Sequence, residues 1–160
     1  MDEFSIRRAQ KYLAAGLAAV SDGELETARE NFKLSSKVNA TADALTYWGW
    51  MEHHLGNTEV AISLCEQAIK ADPEFGNPYN DIGSYLVSKG QLTESIPWFE
   101  KAIEAKRYEP RQFPHINLGK VYLQKNMPAR ALKEFRKALE FSPEDNDLLS
   151  LIERLQTSFH

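Results

Sequence analysis

Residues 79–102 read YNDIGSYLVSKGQLTESIPWFEKA. Gly83 lies inside an apolar helical pattern, and Gly90 follows seven residues later. Ser95, Phe99 and Ala102 stand twelve, sixteen and nineteen residues beyond Gly83. A glycine in a helix interior costs about 1 kcal/mol relative to alanine. Gly83 therefore needs a compensating close approach by a second helix, which a β-carbon would block. Gly90 accepts the left-handed conformation that ends a helix. The stretch predicts two helices joined by a turn at Gly90, the small residues letting them pack tightly and Phe99 filling the gap beside Gly83.

The same spacing recurs outward in both directions. Gly16, Gly49, Gly83 and Gly119 are separated by 33, 34 and 36 residues. Seven residues after each stand Gly23, Gly56, Gly90 and Asn126, and at twelve stand Ala28, Ala61, Ser95 and Ala131. Phe32, Cys65, Phe99 and Phe135 occupy the sixteenth position, Ser35, Ala68, Ala102 and Ala138 the nineteenth. Pro73 and Pro143 fall at the twenty-fourth position, where Ala40 and Arg107 replace proline. Scored as Gly, Gly, Ala, Phe, Ala, Pro, 18 of 24 positions match, far above chance. Asn126 keeps its turn, because asparagine is the next best residue to glycine in that conformation.

This pattern resembles the tetratricopeptide repeat, a 34-residue helix–turn–helix unit. The resemblance implies an all-α fold, a right-handed superhelical solenoid of antiparallel helix pairs, with one domain over residues 1–160. Units are expected near 9–41, 42–75, 76–111 and 112–145. The aromatic or apolar position four before each glycine holds Tyr12, Leu45 and Tyr79, and His115 breaks it. The first unit is the most degenerate, as a terminal repeat facing solvent can be. Leu148, Leu151, Ile152 and Leu155 share one stripe over 146–157, which predicts a capping helix with an N-cap among Asp145–Asp147. The step into the fourth unit is two residues longer, through Lys106–Gln112, and that loop should bulge from the array. Pro97 is expected in the first turn of its helix or as a packing residue.

The composition limits the alternatives. The chain has 160 residues, 19 basic and 23 acidic side chains, a formal charge of −4, and one cysteine. No Lys/Arg stripe marks a nucleic-acid footprint. A single cysteine excludes an internal disulfide framework and a multi-cysteine zinc site. No apolar run reaches the roughly 18 residues of a membrane helix. Arg7–Lys11 followed by Tyr12–Val20 mimics a signal peptide, but Asp2 and Glu3 precede it and Gly16 already has repeat register. The expected location is cytoplasmic, or periplasmic if an export signal has been removed.

In stacked helix pairs the concave surface is lined mainly by first helices. Helical spacing from each glycine places Leu13 and Leu17 of the first unit on it, then Tyr47, Trp50 and His53 of the second. Asn77, Asn80 and Asp81 follow from the third unit, Phe113, Asn117 and Lys120 from the fourth. The expected groove is apolar and aromatic at its amino-terminal half and amide-rich at the other. Tryptophan and tyrosine bury large area while keeping a polar handle, and asparagine both donates and accepts. Such a surface suits a peptide whose apolar residue docks near Trp50 while amides hold its backbone. Trp48, one residue off the stripe, belongs to the core, and Trp98 packs between units.

Some members of the family that the chain resembles hold the carboxylate of chaperone tails with lysines, asparagines and an arginine. The matching positions here are Leu13, Leu17, Tyr47, Asn77 and Asp81, or Thr46, Trp50, Asp81, Phe113 and Asn117, none of them basic. No carboxylate clamp is therefore expected. His53 and His54 are adjacent, point about 100° apart on a helix and cannot chelate one ion from one face. Cys65 sits in a packing slot, and no phosphate-cradling glycine loop occurs. No metal, cofactor or catalytic residue is expected. The function implied is a non-catalytic adaptor or scaffold for a protein or peptide. A secretion-type chaperone or a pilus or envelope assembly factor is the alternative, and an enzyme or metalloprotein the different-class one.

Overall fold

The computed structural model describes residues 1–158, so His160 lies outside the described residues. Among the described residues the chain forms nine α-helices and no strand: α1 (Glu3–Ser21), α2 (Leu25–Val38), α3 (Ala42–His54), α4 (Thr58–Ala71), α5 (Asn77–Ser88), α6 (Leu92–Glu104), α7 (Gln112–Gln124), α8 (Pro128–Phe141) and α9 (Asn146–Thr157). The helices pack in antiparallel pairs α1–α2, α3–α4, α5–α6 and α7–α8, with α9 against α8. Helix α1 begins six residues before the first unit expected from sequence, under an Asp2 N-cap whose carboxylate accepts from the Ser5 N–H at 2.7 Å. Thr41 and Asp145 cap α3 and α9 in the same way.

Each pair turns on one residue with positive φ: Gly23 at 75°, Gly56 at 93°, Gly90 at 76° and Asn126 at 58°. The backbone bonds Glu24 N–H to Ala19 O, Asn57 to Glu52, Gln91 to Leu86 and Met127 to Tyr122 close all four turns at 2.8–2.9 Å. They satisfy helix-end carbonyls that otherwise lack a partner.

The mid-helix glycines sit where the spacing places them. A β-carbon on Gly16, Gly83 or Gly119 would lie 2.5–2.6 Å from the ring of Phe32, Phe99 or Phe135, respectively. All three phenylalanines are fully buried. The second pair differs, because Cys65 stands where the other pairs have phenylalanine. There a β-carbon on Gly49 would first meet the Ala61 carbonyl oxygen at 3.1 Å. Helix α4 thus approaches α3 with its backbone rather than with a ring. Leu148 and Ile152 of α9 are buried in the core cluster that contains Leu118, Phe135 and Ala138, so α9 covers the last pair.

Two buried polar side chains, Glu52 and His115, have partners within the core, whereas the Ser36 and Tyr85 hydroxyls have none among the described residues. Buried Glu52 accepts from Trp48 Nε1 at 3.0 Å and Asn57 Nδ2 at 2.8 Å. His115, the residue that breaks the repeat pattern, is buried with Nδ1 2.8 Å from Glu134 Oε2. Although burial pushes the Glu134 carboxyl up, the His115 hydrogen bond and the Lys137 charge together hold it below its ordinary value. Trp98 packs against the cluster of Ala61, Cys65, Ile82 and Tyr85, bridging the second and third pairs. Pro97 departs from expectation: it is the sixth residue of α6 and exposed, so it serves neither the first turn nor the packing.

Candidate functional site

The concave side carries a cavity of about 320 Å³ framed by three first helices and one loop. Helix α3 supplies Asp43, Thr46, Tyr47 and Trp50; α5 supplies Asn77, Asn80 and Asp81; α7 supplies Phe113. Their i, i+3, i+4 and i+7 spacings put each set on one helical face. Phe75 from the α4–α5 turn and Tyr108 and Pro110 from the α6–α7 loop complete the wall.

That loop does not bulge from the array. It folds inward, because it is bonded to the preceding turn along its backbone and through Arg107. The Arg107 N–H donates to Glu74 O at 2.9 Å, and the Gly76 N–H donates to Arg107 O at 2.8 Å. The Arg107 guanidinium donates to Asp72 at 2.8 Å and to Asp43 at 3.4 Å, and lies 4.1 Å from the centre of the Phe75 ring. Hydrogen bonding to Arg107 holds the Asp72 carboxyl below its usual range. Arg111 reaches back to the Lys106 carbonyl at 2.9 Å, closing the loop on itself. Tyr108 is then only 4% exposed, its ring seated directly on Gly76, where any β-carbon would collide with it. The one glycine without a place in the repeat is thus the seat of the loop tyrosine.

Six of the eleven residues placed on the groove by sequence meet in this cavity: Tyr47, Trp50, Asn77, Asn80, Asp81 and Phe113. Phe113 is 47% exposed. Trp50 is half-buried, edge-on to His54 at 5.4 Å, and its Nε1 has no acceptor among the described residues. Tyr47 stacks on Phe32 at 5.2 Å, which fixes its ring against the first pair. Asp81 lines the cavity with no hydrogen-bond or ion-pair partner among the described residues, and burial pushes its carboxyl up to about 7. Burial also raises the Tyr108 and Tyr85 hydroxyls, each with a further contribution from the Asp81 charge.

The other five lie elsewhere. Leu13 borders a separate hollow between α1 and α2 with Ile6, Gln10 and Ser35, and Leu17 is exposed. His53 is turned into packing: its Nδ1 is 3.0 Å from Thr58 Oγ1, and its ring stacks on Tyr85 at 4.4 Å. Burial and the His54 charge lower its pKa. Asn117 and Lys120 line a smaller hollow of about 120 Å³ with Ser84, Val87 and Gln124. Asn117 Nδ2 donates to Asn80 Oδ1 at 3.0 Å, so two of the amides assigned to a partner bond to each other across α5 and α7. Phe75, Tyr108 and Pro110 are not on the helical stripe; Gly76, the glycine outside the repeat register, is the one sequence signal that could have found Tyr108. Cys65 is buried with its thiol pushed up by burial and by the charges of Asp81 and Glu66, which leaves it unreactive.

Models of the tetratricopeptide repeat match residues 13–74, 77–108 and 113–145. The chain belongs to the tetratricopeptide repeat family. Among curated proteins it is 26% identical over 138 residues to cell division cycle protein 27 homolog B of Arabidopsis thaliana. That alignment covers 85% of this chain and 18% of the relative, so the chain spans about a fifth of that protein's length. Among solved structures, Pseudomonas aeruginosa pilF superposes with a TM-score of 0.88 at 20% identity, covering 98% of this chain and 71% of that one. YrrB, described as a tetratricopeptide repeat protein with an unusual peptide-binding site, superposes with a TM-score of 0.70 at 20% identity, covering 94% and 76%. These likenesses establish the fold. Tetratricopeptide repeats are in general non-catalytic modules that bind proteins or peptides, and no helix among the described residues is long and apolar enough to cross a membrane.

Proposed function

We propose that this tetratricopeptide repeat protein is an adaptor that holds a peptide segment of a protein partner in its concave groove. The observation that carries the reading is the roofed cavity between α3, α5 and α7. It joins the aromatic side chains of half-buried Trp50 and exposed Phe113 to the Asp81 carboxylate, which has no hydrogen-bond or ion-pair partner among the described residues. Aromatic residues in desolvated pockets are the usual anchors of binding energy. At about 320 Å³ the cavity is at the lower end for a ligand pocket and suits one or two side chains.

The test is capture of partners from the native cell by the tagged protein, its Trp50→Ala variant and its Asn80→Ala variant. Loss of the captured protein with Trp50→Ala, in a variant that keeps its helical circular dichroism, supports the groove. Because Asn80 also bonds Asn117, Asn80→Ala should weaken capture less and lower stability as well. Unchanged capture by both variants would sink the proposed surface. The same experiment separates the narrower roles: an unfolded client marks a secretion-type chaperone, and a pilus or envelope component marks an assembly factor.

A further inference from the structure

We propose that the roofed end of the groove receives the cationic side chain of a lysine or arginine in the partner peptide, with Asp81 as its counter-ion. This rests on the reading of the concave face as a peptide site and names what that site selects.

The Asp81 carboxylate lines the cavity from α5 and has no hydrogen-bond or ion-pair partner among the described residues. Asp81 is half-buried, and a carboxylate partly withdrawn from water is less favourable alone than paired with a cation. The basic residue that ties down the loop over the cavity is already engaged. Arg107 is held by Asp72 at 2.8 Å and Asp43 at 3.4 Å, and it rests on the Phe75 ring. No lysine or arginine lines the cavity. The walls beside Asp81 are aromatic, and ring faces attract cations, most strongly when water is excluded. The half-buried Trp50 indole and the exposed Phe113 ring line the same cavity, and the apolar stem of a long basic side chain would lie against them. The cavity volume of about 320 Å³ admits one such side chain. An acidic residue is disfavoured there by Asp81 and Asp43, and an aliphatic one would leave Asp81 unpaired.

The test pans a bead-displayed library of random hexapeptides against the immobilised full chain at pH 8, where Asp81 is ionised. Enriched peptides are expected to share lysine or arginine at one fixed position. Asp81→Asn should lose that preference and bind the best wild-type peptide about tenfold or more weakly. Asp81→Lys should shift the same position to aspartate or glutamate, a reversal that a merely structural role would not produce. Circular dichroism checks that each variant is folded, and Asp81→Asn alone decides if the lysine variant is not. Peptides enriched without a basic position, yet lost on Trp50→Ala, would overturn the cationic assignment and leave the groove standing. Enriched peptides indifferent to Trp50→Ala, or no enrichment at all, would overturn both.

Discussion

The two ends of the concave face are made by the same repeat and have become different surfaces. At one end α3, α5 and α7 meet under the Ala105–Arg111 loop, and a cavity forms with aromatic walls and an unpaired carboxylate. At the other end, Ser84, Val87, Asn117, Lys120 and Gln124 line a smaller hollow of about 120 Å³ formed by α5, α6 and α7 side chains. Both ends show first-helix residues at equivalent spacings, so the helices alone do not account for the contrast. Two extra residues before α7 do, by letting Tyr108 reach Gly76 and cover the space between units. A solenoid groove is otherwise an open surface; one short loop turns part of it into a pocket.

Removing the roof should produce the largest effect. Tyr108→Ala empties a buried aromatic site and should cost about 3–5 kcal/mol in chemical denaturation. It should also relieve the constraint on Gly76, so that Gly76→Ala is strongly destabilising in the wild type and much less so in the Tyr108→Ala background. Equal costs in the two backgrounds would break the link between loop and turn.

Next comes the carboxylate under the roof. The folded-state pKa of Asp81, about 7, lies above its ordinary value of 3.8. Between these two values Asp81 holds more proton in the folded state than in the unfolded one, so its contribution to stability falls as pH rises and levels off above 7. Asp81→Asn should therefore stabilise the protein at pH 8 by on the order of 2–4 kcal/mol and change little at pH 4. Denaturation curves at the two pH values read this directly. The Tyr85 and Tyr108 hydroxyls and the Cys65 thiol, which also feel the Asp81 charge, are pushed up by burial, away from that window.

Helix packing beneath the two ends sharpens the comparison further. Gly83→Ala or Gly119→Ala drives a methyl group into a phenylalanine ring and should cost about 1–3 kcal/mol. Gly49→Ala, facing Cys65 and the Ala61 carbonyl, should cost less than about 1 kcal/mol, since the helix propensity of alanine offsets a milder contact. The smallest effect is reserved for the open end, where Lys120→Ala should stay within about 0.5 kcal/mol of the wild type.

The helix pairs were legible because their signals are local and periodic. Gly23, Gly56, Gly90 and Asn126 are each specified by a backbone angle, and Gly16, Gly83 and Gly119 by one ring sixteen residues away. Even the Cys65 exception was visible as a departure from the pattern, though not its consequence, the backbone approach at Gly49. The site was legible only where it lies on a helical face. Tyr47, Trp50, Asp81 and Phe113 follow from spacing, whereas the inward course of the loop depends on Arg107 choosing Asp72 and Asp43 over solvent. That choice has no period to reveal it. His53 was misplaced for a related reason: spacing gives the direction of a side chain but not the neighbour that takes it, here Tyr85, and it likewise did not reveal that Asn80 and Asn117 bond to each other.

The central claim is that partners bind at the roofed end. Side-by-side capture by Trp50→Ala and Lys120→Ala, both verified as folded, tests it most directly. The expected result is loss of the partner with Trp50→Ala and full retention with Lys120→Ala. Retention by Trp50→Ala with loss on Lys120→Ala would contradict the account and move the site to the open end.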